Sequence, residues 1–255
     1  MARSLVVIDY SELFFTSVFA IERCKKEGGF IPEVEFLVLK KMFAYLKAFP
    51  DREMLLTMDG VSSWRKEVYP DYKGQRKEQR EKYDIDWKDM FYRYSELASY
   101  IDMYTPINTY RDDYLEADDF EAILAKQGHD MVVFSSDKDL NQLCIYTSVK
   151  LISMHSKKKG TKYPFKEVPN PILELTKLIE SGDRADNIPK ATTDAQREIN
   201  KKIVDLLNLP EEVENRATAL LEQPHVKTVN FSEFCNRYRW QFVRIECTRL
   251  WPTLI

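Results

Sequence analysis

The sequence predicts an α/β fold: a mostly parallel central sheet flanked by helices, with a helical insertion and a helical C-terminal lobe. Three observations predict it. Short, continuous apolar runs at residues 4–8, 53–58 and 131–134 have the length of buried parallel strands. Helically periodic segments follow the first and precede the third, as right-handed crossovers between parallel strands require. Each run ends on carboxylates (Asp9, Asp59, and Asp137 with Asp139), at the edge where open α/β sheets bind ligands.

The composition sets the bounds. A chain of 255 residues, 44% hydrophobic and 31% charged, suits one large domain or a domain with an appended lobe. Seven glycines leave little material for flexible linkers. The net charge of −3 argues against indiscriminate nucleic-acid binding but permits a local basic patch. Four cysteines (Cys24, Cys144, Cys235, Cys247) form no CxxC, and three histidines (His129, His155, His225) complete no zinc pattern. Reduced thiols in an intracellular protein are expected. No stretch of about 18 apolar residues predicts a membrane span. Asp9 and Glu12 interrupt residues 1–15 as a signal-peptide core.

The elements follow in order. Residues 4–8 form a strand, and Asp9 either caps the next helix or serves a site. A helix over 10–22 places Phe14, Val18 and Ile21 on one face. Residues 22–29 are a polar turn ending in Gly-Gly. A second helix, 32–49, buries Phe36, Leu39, Met42, Phe43 and Leu46, and the strand at 53–58 ends in Asp59-Gly60. The stretch 64–82 then turns basic and aromatic. Between Lys73 and Lys82 stand five Lys or Arg and two Glu. A solvated helix with i,i+4 pairs is the ordinary reading of such a run. Here Trp64, Tyr69 and Tyr72 alternate with Arg65, Lys73 and Arg76, which suits stacking on bases and holding phosphates. A helix over 86–103 completes an insertion that stands above the strand edge.

A weak strand is expected at 102–108 and a helix at 116–127, with Gly128 closing it. The strand at 131–134 leads into Asp137 and Asp139. One more helix, a strand at 149–154 and a basic loop with Lys157 to Lys159, Lys162 and Lys166 follow. Residues 171–180 are helical and precede Asp183 and Asp186. From Thr192 onward the spacing predicts helices alone, at 195–206, 211–221 and 231–245, whose apolar residues are core.

The acids Asp9, Asp59, Glu116, Asp118, Asp119, Asp137, Asp139, Asp183 and Asp186 each have a capping or solvation explanation, but collected on one rim they need another. Carboxylates a few Å apart repel by about 4 kcal/mol per pair at an effective dielectric near 20, so some protonate unless cations neutralise them. Ligands that are all oxygen select Mg²⁺ or Mn²⁺ over zinc. The DKD at 137–139 lacks the later ligands and glycine of a calcium loop. The excess of acids suggests two or more ions, as in two-metal phosphodiester hydrolysis. Lys73 and Arg76, beside Tyr72, are then the candidates to hold the scissile phosphate.

Six motifs resemble the 5′-nuclease superfamily of flap endonucleases and 5′→3′ exonucleases, whose core is PIN-like. They are VVIDYSELFF (6–15), MDG (58–60), YPDYKGQR (69–76), EADDF (116–120), SSDKDLNQL (135–143) and GDRADNIP (182–189). The chain is most similar to the bacteriophage ribonuclease H and 5′-exonuclease branch, also through WRKEVYPDYKGQR and SMHSKKK. The resemblance implies a PIN-like nuclease core over 1–189, a helical arch over about 70–103 that passes a single-stranded 5′ end, and a DNA-binding helical lobe over 190–255. It implies Mg²⁺, with Mn²⁺ substituting, bound directly or through water by Asp9, Asp59, Glu116, Asp118, Asp137 and Asp139, with Asp119, Asp183 and Asp186 in the same set. Glu116 and Asp118 are assigned to one ion with the first strands, and Asp137 and Asp139 to the other.

Lys73, Arg76, Asp137 and Asp139 form the expected catalytic set. Tyr72 stacks near the 5′ end, and Arg65, Lys77, Arg80, Lys190, Lys201 and Lys202 join it at the nucleic acid. The implied substrates are DNA with 5′ flaps, nicks or single-stranded 5′ ends and RNA–DNA hybrids such as primers, in replication or repair, in the host cytoplasm if phage-encoded. A single-strand binding protein or clamp is a candidate partner, although no C-terminal clamp-binding motif is found. After DNIP the family has a glycine-rich turn, whereas this chain reads KATTDAQREINKKIVDLL. Two alternatives are weighed. A haloacid-dehalogenase-like phosphohydrolase needs a second Asp two residues after the first, and Asp9-Tyr10-Ser11 lacks it. A structure-specific binding protein without catalysis predicts missing acids, and none is missing.

Overall fold

A computed structural model describes residues 2–29, 31–154 and 162–251 of the chain. Its sheet contains β1 (Ser4–Asp9), β2 (Glu53–Thr57), β3 (Asn108–Tyr110), β4 (Asp130–Phe134) and β5 (Val149–Ile152). The order is β3-β2-β1-β4-β5, and every neighbouring pair is parallel. β1 is therefore central, with Ile8 registered between Leu56 of β2 and Phe134 of β4. That register brings the ends of all three strands, and their acids, to adjoining positions.

Eleven helices are described: α1 (Tyr10–Lys26), α2 (Val34–Ala48), α3 (Arg65–Val68), α4 (Arg76–Glu81), α5 (Trp87–Tyr104), α6 (Ala117–Lys126), α7 (Pro171–Ser181), α8 (Asp194–Val204), α9 (Glu211–Glu222), α10 (Phe231–Arg237) and α11 (Gln241–Leu250). Alternate residues of each strand enter opposite cores. Val6, Ile8, Leu56, Val132 and Phe134 meet α1, α2, α5, α10 and α11. Leu5, Val7, Leu55, Met131 and Val133 meet α6 and α9. Burial on both faces explains why the strands read as continuous apolar runs rather than alternating ones. No described helix is long and apolar enough to cross a membrane. The four cysteines are free, with Cys247 buried and the others half-buried.

Several boundaries differ from expectation. The weak strand expected at 102–108 is instead β3 at Asn108–Tyr110, because α5 continues through Tyr104. Thr105 ends that helix: its hydroxyl donates to the Ile101 carbonyl and accepts from the Ile107 amide. The helix after Asp139 is a 3₁₀ helix, Asp139–Ile145. The single helix expected over 231–245 is two, broken at Tyr238 to Trp240. The break folds the chain back so that Phe231 stacks on Trp251, with ring centroids 5.2 Å apart.

The expected division into a core ending at residue 189 and a lobe beyond it does not match the packing. Helix α8 packs on α7 and α3 and closes a small third core with Tyr72 and Ile188. Then α9 packs on α6, α10 on α5 and α11 on α2. The expected arch, 70–103, also divides. Helix α4 buries nothing, whereas Tyr94, Leu97, Ala98 and Ile101 of α5 are core. Residues 155–159 of the SMHSKKK motif, and with them Lys157 to Lys159, lie outside the described residues.

Candidate active site

The site is assembled from the C-terminal ends of β1, β2 and β4. Asp9 both caps α1 and faces the cleft: its Oδ1 accepts from the Glu12 amide at 2.8 Å, and its Oδ2 lies 3.5 Å from Ser135 Oγ. The capping reading of this residue is met, and the same side chain lines the cleft. Asp59 accepts from the Ala117 amide at 3.1 Å, tying the end of β2 to the start of α6. Gly60 lets this approach happen, since a Cβ there would lie 2.2 Å from the Asp112 carbonyl oxygen. Glu116 caps α6 in a reciprocal capping box with Asp119. Beyond β4, Asp137 accepts from the Asp139 amide at 2.9 Å. Asp183 and Asp186 lie in the tight turn after α7, closed by the bridge between Asp183 and Ile188.

These ends surround a cleft of about 330 Å³. Asp9, Asp59, Glu116, Asp118 and Asp137 line it, together with Lys73 and Arg76. Lys73 Nζ is 2.9 Å from Glu116 and 4.0 Å from Asp186, and Arg76 is 2.7 Å from Asp186. Lys73 holds a left-handed backbone, φ 56°, rare outside glycine. Asp139, Asp183 and Asp186 do not line this cleft; Asp186 joins it through Lys73 and Arg76.

Three sequence-based assignments change. Arg65 is not a nucleic-acid contact: it is 1% exposed. Its guanidinium reaches Asp118, Asp119 and Glu116 at 3.0–3.3 Å, and its Nε donates to the Ile203 carbonyl at 2.9 Å. Tyr72 is buried as well and does not stack at an open end; its hydroxyl donates to Glu116 at 2.9 Å. Asp119 turns away from the cleft. Its oxygens accept from Trp64 Nε1, the Glu116 amide and Arg65, leaving it a positioning role. The reason is common to all three. Each has an internal partner contributed by a segment distant in sequence, and a buried charge or hydroxyl keeps its partners. Lys77, Lys190, Lys201 and Lys202 are exposed, and Arg80 covers the Phe91 ring at 5.3 Å. None of these lines the cleft.

The structure adds residues the sequence reading passed over. Glu12 lines the cleft and accepts from Ser135 Oγ and the Ser136 amide at 2.9 and 2.6 Å. Glu121, 1% exposed, lines it too and accepts from Thr57 Oγ1 at 2.9 Å. Both lie three residues after a named acid on a helix, Asp9 and Asp118, so helical spacing was an available signal. Ser11 Oγ accepts from the Asp59 amide at 3.0 Å.

The charges separate the acids into two states. Burial works to raise Glu116, but Lys73 and Arg65 outweigh it and hold its pKa at about 2. Burial, then repulsion from Asp59 and Glu12, pushes Asp9 well above the usual carboxylate range. Burial and Asp137 do the same to Asp139, and burial outweighs Arg65 at Asp118. Burial disfavours charge on Lys73, yet Glu116 and Asp59 keep it protonated. Acids raised in this way suit a cation. The donors are all oxygen, and Asp139 Oδ1 is buried without a partner. The set thus fits a hard divalent ion. Among the described residues no three acids are gathered into a ready ligand group; Arg65, Lys73 and Arg76 engage Glu116, Asp118 and Asp186 instead.

A family model described as 5′-3′ exonuclease, N-terminal resolvase-like domain, matches residues 4–170. The ribonuclease H of Enterobacteria phage T4 is 28% identical over 194 residues, covering 72% of this chain and 62% of that protein. DNA polymerase I of Streptococcus pneumoniae is 29% identical over 210 residues, 74% of this chain and 22% of the polymerase. The chain therefore matches less than two thirds of the length of either relative. Among solved structures, the bacteriophage T5 D15 protein, co-crystallized with metal ions, has a TM-score of 0.65 at 17% identity. That likeness covers 86% of this chain and 99% of the other. Human GEN1, in complex with Holliday junction DNA, has a TM-score of 0.52 at 12% identity, covering 98% and 72%. Both likenesses show a shared α/β fold.

Proposed function

The chain belongs to the 5′-3′ exonuclease family through its N-terminal resolvase-like domain, and from that premise we propose that it is a metal-dependent, structure-specific 5′-nuclease. Its substrates on this reading are 5′ flaps, nicked or gapped duplexes and RNA–DNA hybrids. The observation that carries the proposal is the meeting of opposite charges in one cleft: Asp9, Asp59, Glu116, Asp118 and Asp137 line it together with Lys73 and Arg76. Acids alone would repel a phosphodiester, and cations alone would bind it without activating water.

Asp9, Asp59, Asp118 and Asp137 would hold divalent ions, Mg²⁺ with Mn²⁺ able to replace it, and Glu116, Asp139, Asp183 and Asp186 would complete the set directly or through water. Bound there, the ions supply a lowered pKa for the attacking water and neutralisation of the phosphoryl oxygens. The chain's own groups do the rest. Lys73 stays protonated, so it serves as an electrostatic contact to a phosphate oxygen rather than as a base. Arg76 offers a second contact that fits two phosphate oxygens. Arg65, Asp119 and Trp64 fix the first turn of α6, which aims Glu116 and Asp118. Tyr72 donates to Glu116, holding the carboxylate that also receives Lys73.

The test is a 5′-labelled flap and an RNA–DNA hybrid, each incubated with pure protein in Mg²⁺ and in EDTA. Cleavage in Mg²⁺ alone is expected. Cleavage that survives EDTA, or none in either, overturns the proposal.

A further inference from the structure

Two short turns meet at the mouth of the cleft, and each contains a residue with a left-handed backbone. One turn carries Lys73, φ 56°, and Arg76; the other carries Asp183, Asp186 and Asn187, φ 60°. They are docked face to face. The Lys73 amide donates to the Asp186 carbonyl at 2.9 Å, and Asn187 Nδ2 donates to the Asp71 carbonyl at 2.8 Å. Gln75 adds a double link: its Nε2 donates to the carbonyls of Arg184 and Ala185, both at 2.9 Å. The side-chain oxygen of Gln75 is buried without a partner. The residue is therefore used for its donors alone, at the cost of an unsatisfied acceptor. A buried acceptor without a partner calls for an explanation, and the paired donation to the acidic turn offers one.

We propose that Gln75 is a positioning residue: by clamping two successive carbonyls of the acidic turn, it sets the spacing between the phosphate-binding pair Lys73 and Arg76 and the outlying acids Asp183 and Asp186. The proposal rests on the nuclease reading for what that spacing serves. The Lys73 turn would otherwise relax, since a left-handed lysine persists only where its surroundings impose it, whereas Asn187 adopts that conformation readily. Phosphate grip and acid placement would then vary independently. An error of about 1 Å in such an arrangement costs on the order of 100-fold in rate, with little loss of ground-state binding.

The experiment compares full-length wild type with Gln75→Ala, Gln75→Glu and Gln75→Lys. For each, steady-state cleavage of a labelled flap in Mg²⁺ is measured beside amide hydrogen exchange over residues 69–76 in EDTA. Gln75→Ala and Gln75→Glu should lower kcat by about 10- to 100-fold, with KM within about twofold and a melting temperature lowered by no more than about 4 °C. Exchange at the Lys73 amide should quicken by about tenfold, the loss of roughly one net hydrogen bond. Gln75→Lys, an all-donor side chain, should restore both. The idea is overturned if Gln75→Glu behaves as wild type, if kcat falls without faster exchange, or if the melting temperature falls further than that throughout the series. Wild type that cleaves nothing would remove the nuclease reading, while the exchange data would still decide whether the clamp exists.

Discussion

Replacing Arg65 with methionine separates a buried counter-ion from a surface DNA contact. The guanidinium is 1% exposed and serves three carboxylates and one backbone carbonyl. Methionine of similar volume removes the charge and leaves Asp118, Asp119 and Glu116 facing each other. Removing one partner of a buried ion pair costs roughly 3–5 kcal/mol. For a chain of this size, each kcal/mol lowers the melting temperature by roughly 2–4 °C, so a fall of about 6–20 °C is expected. The loss should depend on pH. Without Arg65 the folded-state pKa values of these acids rise, and a group raised above its unfolded value destabilises more as pH rises past that value. The melting deficit should therefore be larger at pH 8 than at pH 5, where protonation relieves the repulsion. Thermal unfolding followed by circular dichroism at both pH values, in EDTA, provides the assay. A surface contact would behave otherwise: substitutions there usually change stability by less than about 0.5 kcal/mol. An unchanged melting temperature together with weakened DNA binding would refute the structural argument.

Other substitutions probe the remaining parts. Asp137→Asn should lower flap cleavage by on the order of 100-fold or more, because several kcal/mol of charge stabilisation passes through these acids; fluorescence anisotropy should show binding largely kept. Lys73→Ala should lower kcat/KM by about 10²–10³, the usual loss of one charge-stabilising donor, and normal cleavage would exclude it from the phosphate. The same variant alters acid stability. Glu116, at about 2 in the folded protein, adds stability that is full above its unfolded pKa near 4.3 and is lost as pH falls toward 2. Lys73→Ala should shrink that contribution, seen as a flatter dependence of melting temperature on pH between about 2 and 5. Gly60→Ala places a Cβ 2.2 Å from the Asp112 oxygen, so overpacking should destabilise by about 1–3 kcal/mol, measured by urea unfolding.

Sequence and tertiary structure divided the work along physical lines. Features that depend on near neighbours were legible. Strand-ending Asp9, Asp59 and Asp137 follow from short apolar runs and what comes directly after them. The start of α6 at Glu116 and its close at Gly128 are likewise local. The parallel sheet was legible through its crossovers. What the sequence could not supply was partnership across distance. Arg65 and Tyr72 stand in a basic aromatic run like any surface pair, until the fold brings them against α6 and Ile203. Asp119 looks equal to Asp118 in the chain, and only the contact from Trp64 and Arg65 turns it inward. Glu12 and Glu121 share a helical spacing with Asp9 and Asp118, but only the contacts from Ser135, Ser136 and Thr57 fix them at the cleft. The helices after residue 189 read as a separate lobe because their apolar faces do not reveal which core they join. Local chemistry named the acids at the cleft, but burial decided which of them face it, because burial is a property of the whole packing and of no single stretch.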